Sequence, residues 1–345
     1  MEKKQRKEII DAIKSKRASS KRTVDIIEGL LQGDRQMLSK AITLIESTRE
    51  EDRKTANEII ETCIPYSGKS IRIGITGVPG VGKSSFIESF GLQLCEKGRK
   101  LAVLAIDPSS QRSKGSILGD KTRMERLVNH EQAFIRPSPS ASTSGGVAAK
   151  TRESVILCEA AGFDTILIET VGVGQSELAV HSMVDFFLLL MLSGAGDELQ
   201  GIKRGIMEMA DSILITKADG DNIKKSNQAR QEYKNAMHLL PPHPGGWIPQ
   251  VETCSALSGH GLEKAWNIIE SYQNQMAVNG YFNQKRKDQA KFWMHESILE
   301  KLKGMFYNNE AVMQKIVALE KKVISSETSP FVAANEIIDF YKGLK

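Results

Sequence analysis

The chemistry in this chain begins at one run, "GITGVPGVGKSS", where Gly77, Val78, Pro79, Gly80, Val81, Gly82, Lys83, Ser84 and Ser85 follow a strand-like segment. The spacing is G-x-x-x-x-G-K-S. Glycines there permit a tight turn whose backbone N–H groups point inward around phosphate oxygens, and the Lys83 ammonium reaches the β- and γ-phosphates. The Ser84 hydroxyl suits Mg²⁺, and the N-terminus of the following helix adds its dipole. A glycine-rich turn arising by chance is the alternative. A strand before the motif and a helix after it argue against chance.

A base site is legible farther along. The run "DSILITKADG" ends in Thr216, Lys217, Ala218 and Asp219. A carboxylate at Asp219 accepts two hydrogen bonds from guanine N1 and N2, while the Lys217 stem covers the ring face. Adenine offers no such donor pair, so ATP would leave Asp219 unpaired. The usual first residue of such a motif is Asn, and Thr216 departs from it. Ser255, Ala256 and Leu257, after another β-type run, bring backbone N–H groups towards the guanine oxygen. Taken in order after the other two motifs, this tripeptide makes guanine the preferred base.

Three carboxylates complete the set. "KLAVLAIDPSS" ends a β-type run at Asp107, "GSILGDKTRME" offers Asp120, and "ILIETVGVGQSE" stops at Glu169 with Gly172 three residues on. Each alone reads as a surface acid at a strand end. Together, at the carboxyl ends of strands in one α/β domain, they become candidates with Ser84 for direct or water-mediated contact to a nucleotide-bound Mg²⁺. Gly172 N–H is placed to sense a γ-phosphate, so that hydrolysis releases the 169–177 loop. Where such a loop usually carries Asp, Glu169 reaches about 1–1.5 Å farther. It either binds the metal directly, holds a metal-bound water, or orients the attacking water. Gln175 is not adjacent to Gly172, so no residue stands out as the water-positioning group.

These residues need a scaffold. β-type runs at 71–76, 101–106, 164–168, 185–192, 211–215 and about 248–254 alternate with helical stretches at 84–97, 146–161, 198–210, 222–238 and 261–275. Such alternation predicts an α/β fold, a mostly parallel central sheet flanked by helices. Residues 1–65 read as a helical region, with Leu38, Ala41, Ile42 and Ile45 at helical spacing behind an Asp34 cap. Residues 66–275 form the nucleotide domain. Residues 276–345 form a helical arm, carrying Phe292, Ile298, Leu299, Leu302 and Phe306 along one side, which must lean on the sheet domain or on a second subunit.

Composition narrows the functional class. The chain has 345 residues, 26% of them charged, and a mild net charge of +5 spread along its length, which argues for no nucleic-acid and no membrane partner. Its four cysteines are far apart without a C-x-x-C, as in a reduced, cytoplasmic protein. The opening "MEKKQRKEIIDAIKSKR" lacks the apolar core of a signal peptide, and "FFLLLML" is too short to span a bilayer.

Taken together, "GDRQMLSKAITLIES", "GITGVPGVGKSSFIE", "VLAIDPSS", "GSILGDKTRM", "IETVGVGQSE" and "SGAGDELQGIKRGIMEMAD" resemble the MeaB/ArgK-type G proteins. That group contains the methylmalonic aciduria type A protein and lies within the SIMIBI class of P-loop GTPases. The resemblance covers about residues 33–262. It implies a GTPase that binds GTP/GDP with Mg²⁺, gates cofactor loading and protects an adenosylcobalamin-dependent acyl-CoA mutase, typically methylmalonyl-CoA mutase. It implies a homodimer formed through the C-terminal arm. The lack of an evident water-positioning residue leads us to expect slow intrinsic hydrolysis, accelerated by the partner. The resemblance also places Ser84, Asp107, Asp120 and Glu169 in the metal and switch set, and Lys203, in "GDELQGIKRG", in a further switch loop. The expected catalytic set is Lys83, Asp107, Glu169 and Lys203.

Three other functions would each leave a mark in the sequence. A metal-delivery GTPase would carry a His-rich tract or paired Cys, whereas the six histidines are scattered. A signal-recognition-type GTPase would carry a Met-rich RNA-binding domain. A protein kinase acting on amino-acid-binding transport proteins would need a protein-acceptor site, and no residue set suggests one.

Overall fold

The apolar run Phe186–Met191 is buried at all six positions, as a strand inside a sheet covered on both faces must be. The computed structural model describes residues 21–106, 124–137, 144–170, 176–194 and 204–344. In chain order the strands are β1 (Ile71–Gly77), β2 (Leu101–Ile106), β3 (Ala133–Arg136), β4 (Thr165–Thr170), β5 (Phe186–Met191), β6 (Ser212–Ile215) and β7 (Gln250–Thr253). They form one seven-stranded sheet in the order β3-β2-β4-β1-β5-β6-β7. Every neighbouring pair is parallel. All carboxyl ends therefore share one edge, and β1 sits where the strand order turns, the usual place for a ligand in such a sheet.

Helices cover both faces of β1. Ile71, Ile73 and Ile75 join the core that includes Phe86, Ile87 and Phe90 of α4 (Lys83–Glu96). On the opposite face a Cβ at Gly74 would lie 2.8 Å from Val180 Cγ1, so α7 (Ser176–His181) rests on bare strand backbone. The remaining helices of the sheet domain are α5 (Glu125–Val128), α6 (Ser144–Ala160), α8 (Arg204–Glu208), α9 (Ile223–Met237) and α10 (Leu262–Val278). Sequence periodicity predicts six of the strands and misses β3. Its identity comes from pairing, Leu101 beside Ala133 through Leu104 beside Arg136.

The N-terminal helices are α1 (Lys21–Leu31), α2 (Arg35–Glu46) and α3 (Glu50–Cys63). Asp34 caps α2 by accepting from the N–H groups of Gln36 and Met37, and Leu38, Ala41, Ile42 and Ile45 are buried as their spacing predicts. Arg35 donates to the carbonyls of His130 and Ala133 at 3.0 and 2.8 Å, and Arg136 pairs with Glu46. These bonds lay α2 along the β3 edge and keep that edge from pairing with another chain.

An ionic anchor closes the opposite, amino-terminal end of the strands. Glu159 of α6 accepts from Gly68 N–H, the Ser70 hydroxyl and both arms of Arg72 at 2.6–2.9 Å. Arg286, near the start of α11 (Tyr281–Tyr307), holds both oxygens of buried Asp185 at 2.8 and 2.6 Å. It also donates to the carbonyls of Gly68 and Ser70. Removing one partner of a buried pair strands the other charge. Arg286→Ala should therefore lower unfolding free energy by about 3–5 kcal/mol in urea titrations. A loss below about 1 kcal/mol would show that the anchor is dispensable.

The chain divides into two compact units, residues 1–287 and 288–345. The second unit holds the rest of α11 together with α12 (Glu310–Ile324) and α13 (Pro330–Gly343), α12 packing on α13. Ser329 caps α13 by accepting from Val332 N–H, with Pro330 in the first turn. Val312, Leu319 and Ala333 are buried, whereas Ile298, Leu299, Leu302 and Phe331 are exposed. Among the described residues, no helix is long and apolar enough to cross a membrane.

Candidate functional site

Gly77 ends β1 with its backbone pressed against β5. A Cβ there would lie 2.5 Å from the Leu190 carbonyl oxygen, so no larger residue fits without moving backbone. Gly82 stands at the N-cap of α4 with φ +92, in the left-handed region that favours glycine. Between them Val78 and Val81 are buried and hold the loop down, while Pro79 and Gly80 are exposed. The strand-to-helix context that a phosphate loop requires is thus present, with Lys83, Ser84 and Ser85 on the first turn of α4.

Lys83 Nζ donates to the Gly77 carbonyl at 2.9 Å. Burial pushes its pKa down, while the negative charges of Glu169 and Glu177 act in the opposite sense. Glu169 lies on β4 beside Ile75 of β1 and Ala105 of β2, and is 6% exposed. Next to it the Thr170 hydroxyl donates to Thr76 Oγ1 at 2.9 Å, tying the ends of β4 and β1 together. Glu177, on α7, is 2% exposed. Sequence reading passed over it, although it closes the "GVGQSE" motif, because only the fold of α7 brings its charge to bear on Lys83. The Ser84 hydroxyl and the Glu169 carboxylate are hard oxygen donors of the kind Mg²⁺ takes, so the residues present fit that ion. Asp107, Asp120, Gly172 and Lys203 lie outside the described residues.

The second half of the site sits past β6 and β7. The Thr216 hydroxyl donates to the Val81 carbonyl at 2.8 Å and lies 3.2 Å from the Met191 carbonyl. This residue, which departs from the usual Asn, therefore ties the phosphate loop to the base strand through a hydroxyl. The Lys217 stem comes to the phosphate loop, its Cε 4.0 Å from where a Gly82 Cβ would stand. Ala218 N–H donates to the Cys254 carbonyl at 3.0 Å, joining this loop to the one after β7.

In that loop the Ser255 hydroxyl donates to Asp219 Oδ2, and Ser258 N–H donates back to Ser255 Oγ at 3.2 Å. Ser89, on α4, donates to the Ala256 carbonyl at 2.8 Å and so fixes Ser255, Ala256 and Leu257 to the helix that follows the phosphate loop. One bond from Ser255 leaves Asp219 acceptor capacity for two more donors, since a carboxylate offers about four lone-pair sites. All these groups converge on the carboxyl edge of β1, β4, β5, β6 and β7. That arrangement can hold a phosphate chain at one end and read a base with paired donors at the other.

The chain is similar to proteins of one family. Residues 38–311 match the family described as methylmalonyl-CoA mutase-associated GTPase MeaB. The mouse mitochondrial methylmalonic aciduria type A homolog is 45% identical over 324 residues, covering 91% of this chain and 78% of that protein. GTPase ArgK of Escherichia coli is 43% identical over 306 residues, covering 88% and 92%. A crystal structure described as a LAO/AO transport system kinase superposes with a TM-score of 0.74 at 35% identity, covering 94% of this chain and 99% of that one. The chain belongs to the MeaB family of methylmalonyl-CoA mutase-associated GTPases.

Proposed function

We propose that this GTPase uses slow, partner-stimulated GTP hydrolysis to gate adenosylcobalamin loading and protect an acyl-CoA mutase, with methylmalonyl-CoA mutase as the client. The observation that carries the nucleotide chemistry is the joining of the two half-sites by Thr216, which bonds the phosphate loop at Val81. A base reader and a phosphate cradle built as one piece suit a switch whose nucleotide state must be sensed as a whole. The family's description as mutase-associated supports this client.

Phosphoryl transfer asks mainly for positioning and charge neutralisation. Lys83 and the loop amides meet the β- and γ-oxygens. Ser84, Asp107, Asp120 and Glu169 would hold Mg²⁺, directly or through its waters. When bound, the ion neutralises charge on the phosphate chain. Asp219 accepts from guanine N1 and N2, Lys217 covers the ring, and the loop at Ser255, Ala256 and Leu257 faces the guanine oxygen. Gly172 senses the γ-phosphate, and Lys203 carries the nucleotide state to the partner. Exposed apolar side chains of residues 288–345 support the arm as the homodimer contact, and a cytoplasmic location suits the reduced cysteines.

Glu169 tests the switch. Glu169→Asp shortens the side chain by one methylene at a buried position. It should leave GTP affinity within about threefold, less than one lost hydrogen bond, while changing the single-turnover rate or the response to the partner. An unchanged rate together with an unchanged response would remove Glu169 from the switch. The client is tested by co-purification from the source cell with and without a non-hydrolysable GTP analogue. Nucleotide-dependent recovery of a B12-dependent mutase is expected. Recovery of none would overturn the chaperone reading and leave the GTPase assignment standing.

A further inference from the structure

Among the described residues, Lys217 and Ser326 are the two non-glycine residues with positive φ, and Lys217 has φ +55. A lysine in the left-handed region is strained and persists only where its surroundings over-determine it. Asn222 supplies that determination. Its Nδ2 donates to the Lys217 carbonyl at 2.8 Å and lies 3.3 Å from Ser226 Oγ, while its Oδ1 accepts from the Ser193 hydroxyl at 2.8 Å. Its backbone N–H donates to the Asp219 carbonyl at 3.0 Å, closing the turn.

A second observation shows where this side chain is committed. Asn222 ends the 3-10 turn Gly220–Asn222 and enters α9 with helical backbone angles, φ −85 and ψ −9, so its side chain is not needed as a helix cap. It makes no cap bond there. The amide is used instead on the Lys217 carbonyl, on Ser193 just past the end of β5 and on the Ser226 hydroxyl of α9.

We propose that Asn222 is a positioning residue for the nucleotide base. It holds the Lys217 backbone in the left-handed region so that the lysine stem stays beside Gly82 and covers one face of a purine ring. Through Ser193 it fixes this bracket to the end of β5. The inference rests on the base-site reading above and deepens it, since Asp219 selects the ring by its edge and Asn222 governs contact with its face. Ring-face contact does not depend on the 2-amino group. Loss of Asn222 therefore weakens guanine and hypoxanthine nucleotides equally, whereas loss of the Asp219 contact does not.

The test uses the full chain and measures affinity and dissociation rate for GDP, IDP and ADP in wild type, Asn222→Ala, Asn222→Asp and Ser193→Ala. Wild type should prefer GDP to ADP. Asn222→Ala should weaken GDP and IDP by the same factor, about tenfold for one lost hydrogen bond, through faster dissociation and with the nucleotide-free melting temperature unmoved. Asn222→Asp should be no better than alanine, because it sets a carboxylate oxygen against the Lys217 carbonyl. Ser193→Ala should show a smaller loss of the same kind. Equal binding of GDP and ADP by wild type would overturn the base reading and this inference together. Intact wild-type preference with unchanged Asn222→Ala affinity would overturn this inference alone. So would a loss of affinity that merely follows a lowered melting temperature.

Discussion

Lys83→Ala should abolish tight nucleotide binding. Its ammonium is already held at the Gly77 carbonyl, at the start of the phosphate loop. A hydrogen bond to a charged group contributes about 1.5–3 kcal/mol, which is roughly 10- to 150-fold in affinity. Loss of a preorganised donor at developing charge costs roughly 10²–10³ in rate as well. The alanine variant also leaves Glu169 and Glu177, both buried, without the cation that their charges act upon. Equilibrium binding of labelled GDP and GTP checks the first effect, and single-turnover hydrolysis checks the second. Affinity within threefold of wild type would remove Lys83 from the phosphate site.

The same environment sets a pH dependence. Burial lowers the Lys83 pKa, so its proton is lost at a lower pH than from an ordinary lysine. Nucleotide affinity should accordingly fall on the alkaline side as pH rises through that pKa, because the neutral amine no longer attracts phosphate.

Asp219→Asn should change which base is bound. In the proposed base site the carboxylate accepts from both guanine N1–H and the 2-amino group, whereas an amide offers one acceptor and one donor. Xanthine, with an oxygen in place of the 2-amino group, matches that pattern. Sites built on paired hydrogen bonds reject the mismatched partner by about 10⁴–10⁵ at their best. A swing of about 10²–10⁴ in the ratio of GDP to XDP affinity is the expected outcome for this single change. Ser255, whose hydroxyl donates to Asp219, can donate to the amide oxygen as well, so the fold should tolerate the substitution. Competition binding of GDP against XDP reads the ratio. An unmoved ratio would place the base elsewhere.

What could be read from residue order alone was local. The strand-loop-helix phosphate motif, the Asp34 cap and the long apolar strand Phe186–Met191 all declare themselves within about a dozen residues, where periodicity and turn chemistry act. β3 did not, because its identity comes from pairing with β2. By residue type, Thr216 is only a departure from the usual Asn. Its use became visible only when the fold set Val81, 135 positions earlier, within 2.8 Å of its hydroxyl. Glu177 is similar, since nothing in "GQSE" says that α7 turns its carboxylate towards Lys83. The Arg286–Asp185 anchor spans 101 positions, and each residue alone reads as a surface charge. Long-range polar pairing of this kind leaves no mark on local sequence, whereas the apolar pattern that buries its surroundings does.

The central claim is most directly tested by single-turnover reaction of γ-labelled GTP with the full chain, alone and with an adenosylcobalamin-dependent acyl-CoA mutase purified from the source cell. The expected result is slow release of label as free phosphate, accelerated when the mutase is added. Label transferred to a protein acceptor would instead make the chain a kinase. A release rate that the mutase leaves unchanged would contradict the proposed coupling between hydrolysis and the client.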